Sequence, residues 1–229
     1  MRPGWYILNY HNVDWEDSIL SRAIGGTVRP DVFRGHLQTL RRLGRFISIP
    51  EGQDLLEGGE PIAEPLFSLW FDDGFAGVRE EALPICRELG VRGALSVCSR
   101  FVLRTELFWR CKLSYLAHGD GIRLVRSRLR KDHPDLPWRV RAWTLDNFGP
   151  DVIAAIDEVF EHHTTEAFRR DAFRIFETPD GLRELASAGW TITNHGAAHH
   201  PLPPQLAFQA VEAAFDECET LVRDYNPAN

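Results

Sequence analysis

Hydrophobic and polar positions alternate between two regimes along this chain. Trp5 to Tyr10 is a short, apolar, aromatic-rich run that predicts a buried strand, and so do Phe46 to Ile49, Leu66 to Phe71, Gly93 to Cys98 and Trp190 to Thr193. Between them the apolar period lengthens to that of a helix. Phe33, Leu37, Leu40 and Leu43 recur at helical spacing after Asp31, which the pattern nominates as the helix cap, and Gly44 ends the run. Glu51 to Leu56 reads as a short helix, and Val78 to Leu89 as a longer one closed by Gly90. Strand, helix, strand, helix, strand is the order of an α/β fold with parallel strands.

From about residue 104 to 176 the regime changes to helical stretches alone: Glu106 to Tyr115, Ile122 to Arg130, Val152 to His163 and Glu166 to Phe176. This segment is expected to be a helical insertion within a single domain spanning 1–229. A further helix, Gly181 to Ala188, leads into the last strand. A final one, from Pro204 to Tyr225, carries Leu206, Ala210, Ala213, Ala214, Cys218 and Leu221 on an apolar face.

Composition narrows the class without naming a chemistry. The 229 residues are 44% hydrophobic and 26% charged, the balance of a folded globular chain and not of a disordered one. A net charge of −7 offers nothing to nucleic acid or an anionic membrane, and the basic run Arg123 to Lys131 is interrupted by Leu124, Val125 and Leu129 as a solvated helix face would be. The opening run is too short and polar for a signal segment or a membrane span, so the expected location is the cytoplasm. Four scattered cysteines without a CxxC pair point to reduced, structural thiols.

Chemistry concentrates at two strand ends. Asp72-Asp73-Gly74 follows the most hydrophobic strand, and Asn194-His-Gly-Ala-Ala-His-His200 follows the last one. Asp-Asp-Gly is also good turn chemistry on its own. His195 and His199 stand four residues apart, and a helical turn after the strand would bring both rings to one side. Together the clusters offer two imidazoles and a carboxylate to a divalent ion, with one coordination position left for water, while the second carboxylate serves as general base.

These residues resemble those of the polysaccharide deacetylases with the NodB homology domain. Trp70-Phe-Asp-Asp-Gly74 is similar to the family motif T-F-D-D-G, with Trp70 in the threonine position. His195-Gly-Ala-Ala-His199 is similar to H-[ST]-x-x-H, with Gly196 in place of the hydroxyl residue. Ile7 to Val13 resembles the family's Y-H-x-V strand, and Arg29 to Leu43 and Pro179 to Gly189 resemble two of its helices. The resemblance implies a distorted (β/α) barrel that removes N-acetyl groups from amino sugars with a divalent metal. It makes Asp72 the general base and Asp73, His195 and His199 the metal ligands. Zinc is expected first, with cobalt, nickel or iron as alternatives.

The family's third motif and its later tryptophan and histidine acid have no counterpart before Asn229, where Tyr225-Asn-Pro227 is a faint echo. The expectation is therefore a barrel incomplete at its C-terminal side, with exposed edges that favour a homodimer. A catalytically silent or truncated carbohydrate-binding or assembly protein on the same fold is the alternative to the enzyme. Other residues carry weaker expectations. His11, at the end of the first strand, is a substrate contact, a substitute acid or a structural histidine. His200 is a neighbour of the ligands. Trp109, with Phe108, Trp138 and Trp143, forms either a sugar-stacking wall or core.

Overall fold

The computed structural model describes residues 1–59, 61–143, 149–201 and 207–226. Seven strands are present among them: β1 (Gly4–Tyr10), β2 (Asn12–Val13), β3 (Thr27–Val28), β4 (Arg45–Phe46), β5 (Pro65–Phe71), β6 (Gly93–Val97) and β7 (Thr191–Asn194). The helices are α1 (Pro30–Arg41), α2 (Ile49–Glu57), α3 (Leu83–Leu89), α4 (Ser99–Val102), α5 (Trp109–Leu116), α6 (Gly121–Leu129), α7 (Pro150–His163), α8 (Glu166–Ala172), α9 (Pro179–Ser187) and α10 (Phe208–Val222).

The predicted α/β architecture is present. β5 is the centre of a parallel sheet, which explains why its sequence is apolar almost without interruption. One of its edges pairs with β1 from Gly4↔Pro65 to Tyr10↔Phe71. The other edge is shared, with β4 beside Leu66 and Phe67 and β6 beside Leu69 to Phe71. β7 then pairs with β6 from Ala94↔Thr191 to Val97↔Asn194. Parallel register brings the carboxyl ends of β1, β5, β6 and β7 to one rim, where Asp72 N bonds Tyr10 O (3.0 Å) and His195 N bonds Val97 O (2.9 Å). In parallel sheets that rim is where sites are assembled.

Local chemistry moved several boundaries. Asp31 is not the cap of α1: Pro30 occupies the first helical turn, so the helix starts behind Arg29, and Asp31 instead accepts bonds from the Arg29 guanidinium and the Val32 amide. The strand expected over Phe46 to Ile49 stops at Phe46 because Ser48 and Glu51 form a capping box that starts α2 at Ile49. The run from Val78 opens with a π-helical turn, Val78–Ala82, before α3 closes on left-handed Gly90. Leu206 and the start of the helix expected from Pro204 lie outside the described residues.

Two hydrophobic clusters hold the molecule. One lies on the sheet, where Phe33, Leu37, Leu69, Phe71, Leu95, Leu185 and Ile192 are buried. The other lies among α5, α6 and α7 and includes Phe101, Phe108, Trp109, Leu113, Trp143, Ile156 and Phe160. Phe75, Cys98 and Ala198, next to the Asp and His motifs, belong to the second cluster, so the helices of the 104–176 segment pack directly behind the rim.

Candidate metal centre

Asp73 and His199 sit in the left-handed region, at φ 72° and 53°. Among the described residues only Arg104 joins them as a non-glycine residue with positive φ. Such backbone costs on the order of 1–3 kcal/mol and persists where surrounding structure fixes it for a purpose. The Asp73 turn is fixed by the segment returning from the insertion. Glu177 N bonds Gly74 O (2.8 Å), Ala76 N bonds Ile175 O (2.8 Å), and the Phe75 and Phe176 rings stack at 5.1 Å. Gly74 itself has φ 75°, and a Cβ there would meet Val97 Cγ1 at 3.1 Å.

The histidine motif is a loop, not the helical turn the spacing suggested. Gly196 takes φ 79° and its amide N–H donates to Asn194 Oδ1 (2.8 Å), a conformation that explains glycine at this position. Ser99 N and Arg100 N bond Gly196 O (3.3 Å) and Ala197 O (3.0 Å), tying the loop to the start of α4. The two left-handed residues bring the His195 and His199 rings to a centroid separation of 4.9 Å.

The result is a three-residue cluster. Among the described residues Asp73 Oδ1 is buried without a hydrogen-bond donor, and both His195 Nε2 and His199 Nε2 lie 3.4 Å from it. One ligand atom from each of the three lies within 4.8 Å of the others. A tetrahedral zinc with bonds of about 2.0–2.2 Å holds its ligand atoms roughly 3.3–3.6 Å apart. An orphaned carboxylate oxygen faced by two imidazole nitrogens at that spacing fits a divalent ion.

Asp72 stands beside this cluster with a different environment. Oδ1 accepts bonds from Trp70 Nε1 (2.7 Å) and Ser96 Oγ (2.5 Å), and Oδ2 accepts one from Asn9 Nδ2 (2.8 Å). Burial pushes this carboxyl up, but the Ser96, Asn9 and Trp70 donors outweigh it and hold the group below its ordinary range. His195 Nδ1 lies 3.8 Å from Asp72 Oδ1. The two histidines are held differently. Burial lowers both, yet Asp73 and Asp72 raise His195 overall, while His199 stays below its usual value.

The remaining predicted residues divide. His11 stands at the carboxyl end of β1 beside Gly26, on the same rim, outside the three-residue cluster. His200 points to Glu106, 2.6 Å away, and not to the metal cluster. Trp109 is not an open sugar platform. It is 2% exposed, and its Nε1 donates to His199 O (3.1 Å). Phe108 and Trp143 are likewise core, whereas Trp138 is 59% exposed beneath the Arg126 guanidinium. Phe108 packs its ring 4.9 Å from that of His199. Asn9, Trp70 and Ser96, which orient Asp72, went unassigned in the sequence; polar Asn9 and Ser96 inside apolar strands are the available signal.

No family model and no curated protein matches the sequence. Solved structures do match in three dimensions. The Streptococcus pyogenes deacetylase PplD, solved in complex with acetate, superposes with a TM-score of 0.59 over 97% of this chain and 70% of its own, at 14% identity. IcaB from Ammonifex degensii gives 0.56 over the same shares, also at 14% identity. This chain has the polysaccharide-deacetylase fold. A de-N-acetylase from Aggregatibacter actinomycetemcomitans gives 0.55, covering 98% of this chain and 76% of its own at 14% identity. At such identity the likeness establishes the deacetylase fold, and the chemistry has to be argued from the residues at the rim.

Proposed function

We propose that this protein is a metal-dependent hydrolase that removes an N-acetyl or related acyl group from an amino sugar or glycoconjugate. The observation that carries the reading is the donor-less Asp73 Oδ1 facing two imidazole nitrogens, with Asp72 held beside it, on the rim of a deacetylase fold. Asp73, His195 and His199 would hold the ion, zinc first among the candidates. Such an ion supplies an activated water and polarises the acyl carbonyl.

The chain's own residues supply proton handling. Asp72 is kept ionised by three donors, two of them on Oδ1. Oδ2 has a single donor and therefore a lone pair free to accept the proton of the attacking water. Trp70, in the position where the family motif has threonine, fixes the carboxylate plane through Oδ1. His195 lies between Asp73 and Asp72, so its Nε2, beside Asp73 Oδ1, is the atom that would hold the ion, while Nδ1 faces Asp72. No described helix is long and apolar enough to cross a membrane. We also propose a homodimer, since Phe208 on α10 is 71% exposed; light scattering at micromolar concentration checks it.

The test is acetate release from N-acetylglucosamine oligomers by the purified chain, before and after chelation and zinc return. Chelator-sensitive release restored by zinc supports the reading. Release that ignores the chelator, or none from any N-acyl sugar at full metal loading, overturns it.

A further inference from the structure

A cavity of about 530 Å³ lies against the metal cluster. The Asp73 side chain is sealed at 4% exposure, so the cluster meets its surroundings through His195 and His199, whose side chains are 28% and 36% exposed. Both histidines line this cavity. Its other walls are hydrocarbon. Ala197 and Ala198 come from the loop between the two histidines, Ile153 from α7, and Ala210, Ala213 and Phe215 from α10. The far end of α10 is anchored by buried Cys218 and Val222, while Ala210 and Ala213 at its near end stay exposed and front the cavity. Alanine at these positions leaves space that a larger side chain would fill.

The charged groups at the cavity edge are matched to one another. Arg100 is held by Glu106 and Glu217, each at 2.9 Å, and His200 Nε2 lies 2.6 Å from Glu106. Apolar walls with paired charge at the edge fit an uncharged, apolar occupant. The two sides of the amide cleaved in the reaction proposed above differ in this respect. The nitrogen side carries a sugar, whose hydroxyls would lose water among alanines without gaining partners. The carbonyl side carries only an alkyl group, which gains from leaving water. A cavity of this size is that of a site for a whole small ligand, far more than the single methyl of an acetyl group.

Resting on that reading, we propose that the substrate carries an N-acyl chain longer than acetyl, with the alkyl chain lying in the cavity between the histidine loop and α10. Water adds across the amide: a C–O bond forms, the C–N bond breaks, the nitrogen takes up both protons of the water and leaves as an ammonium, and the acyl group leaves as an alkyl carboxylate. Ala210 and Ala213 set the room for the chain.

The experiment compares wild type, Ala213→Phe and Ala210→Phe at matched zinc content on N-acetyl- and N-hexanoylglucosamine oligomers, reading the free amine. Calorimetry with sodium acetate and sodium hexanoate reads binding independently of turnover. Each buried methylene is worth about fourfold, so the wild type is expected to favour hexanoyl over acetyl by about tenfold or more in kcat/KM, and hexanoate over acetate by a similar factor in affinity. Both phenylalanine variants should bring these ratios toward one. Each ratio is taken within one protein, so a smaller folded fraction does not imitate the effect. Acetyl cleaved as well as hexanoyl, with hexanoate bound no tighter than acetate, overturns the inference and leaves the proposed reaction standing. A hexanoyl preference that neither variant moves places the chain elsewhere and also overturns it. Tight hexanoate binding that Ala213→Phe abolishes, in a wild type that cleaves no N-acyl sugar, would keep the alkyl site and reject the reaction.

Discussion

The sheet rim and the helical segment behind it contribute to the site in opposite ways. The rim donates the polar atoms: Asp72 and Asp73 follow β5, His195 follows β7, and Asn9 and Ser96 reach in from β1 and β6. The helical segment donates almost no polar side chain to the ligand set. Its Phe108, Trp109 and returning Phe176 instead hold the His199 and Asp73 backbones in left-handed conformations. Parallel register alone can gather carboxylates and imidazoles at one edge, but the strained geometry that lets three of their atoms converge is maintained from outside the sheet.

The largest effect that would break this division is loss of a rim ligand. Asp73→Ala is expected to weaken zinc at least about a hundredfold and to reduce turnover to background, read by chelator competition and amine release. Next comes Asp72→Asn, which leaves the ion in place. It is expected to lower kcat about 10²- to 10⁴-fold at unchanged metal content, and loss of metal together with rate would remove Asp72 from its role as base.

On the other side, Phe108→Ala deletes a buried ring and is expected to cost about 3–5 kcal/mol in denaturant unfolding. Hydrogen exchange should show the loss concentrated in α5 to α7 with the protection of β5 and β6 retained. Equal loss in both regions would mean the two clusters behave as one.

The smallest effect concerns Glu177, whose carboxylate is sealed at the junction of the two regions with Arg79 Nε at 3.1 Å from Oε2 and, among the described residues, no partner for Oε1. Burial raises its pKa to about 7 against the pull of Arg79. Between the unfolded value of 4.5 and about 7 the folded protein therefore holds a proton that the unfolded chain has released. Stability falls as pH rises through that window and is level above it. Glu177→Gln should flatten this slope, worth up to roughly 3 kcal/mol across the window, in melts between pH 4.5 and 8.

Much of the sheet could be read from the chain because buried parallel strands carry nearly continuous apolar runs, as Leu66 to Phe71 does. Boundaries failed where a local bond competed with the apolar pattern: the Ser48–Glu51 capping box converted the end of an expected strand into a helix start. The spacing of His195 and His199 pointed to a shared ligand, yet the loop that joins them is not helical. Only the left-handed Gly196 and His199, which the spacing does not show, bring the rings together. Trp109 stood open between a sugar-stacking wall and core because a buried indole and an exposed one look alike in sequence; burial at 2% exposure decides for core.

The central claim is that Asp73, His195 and His199 form a metal centre. Its most direct test is the zinc content of the wild-type chain after equilibration with zinc and desalting, beside that of His195→Ala. The account predicts about one ion per chain in the wild type, removable by chelation, and little in the variant. A wild type that retains no zinc, or a variant that retains as much as the wild type, would contradict it.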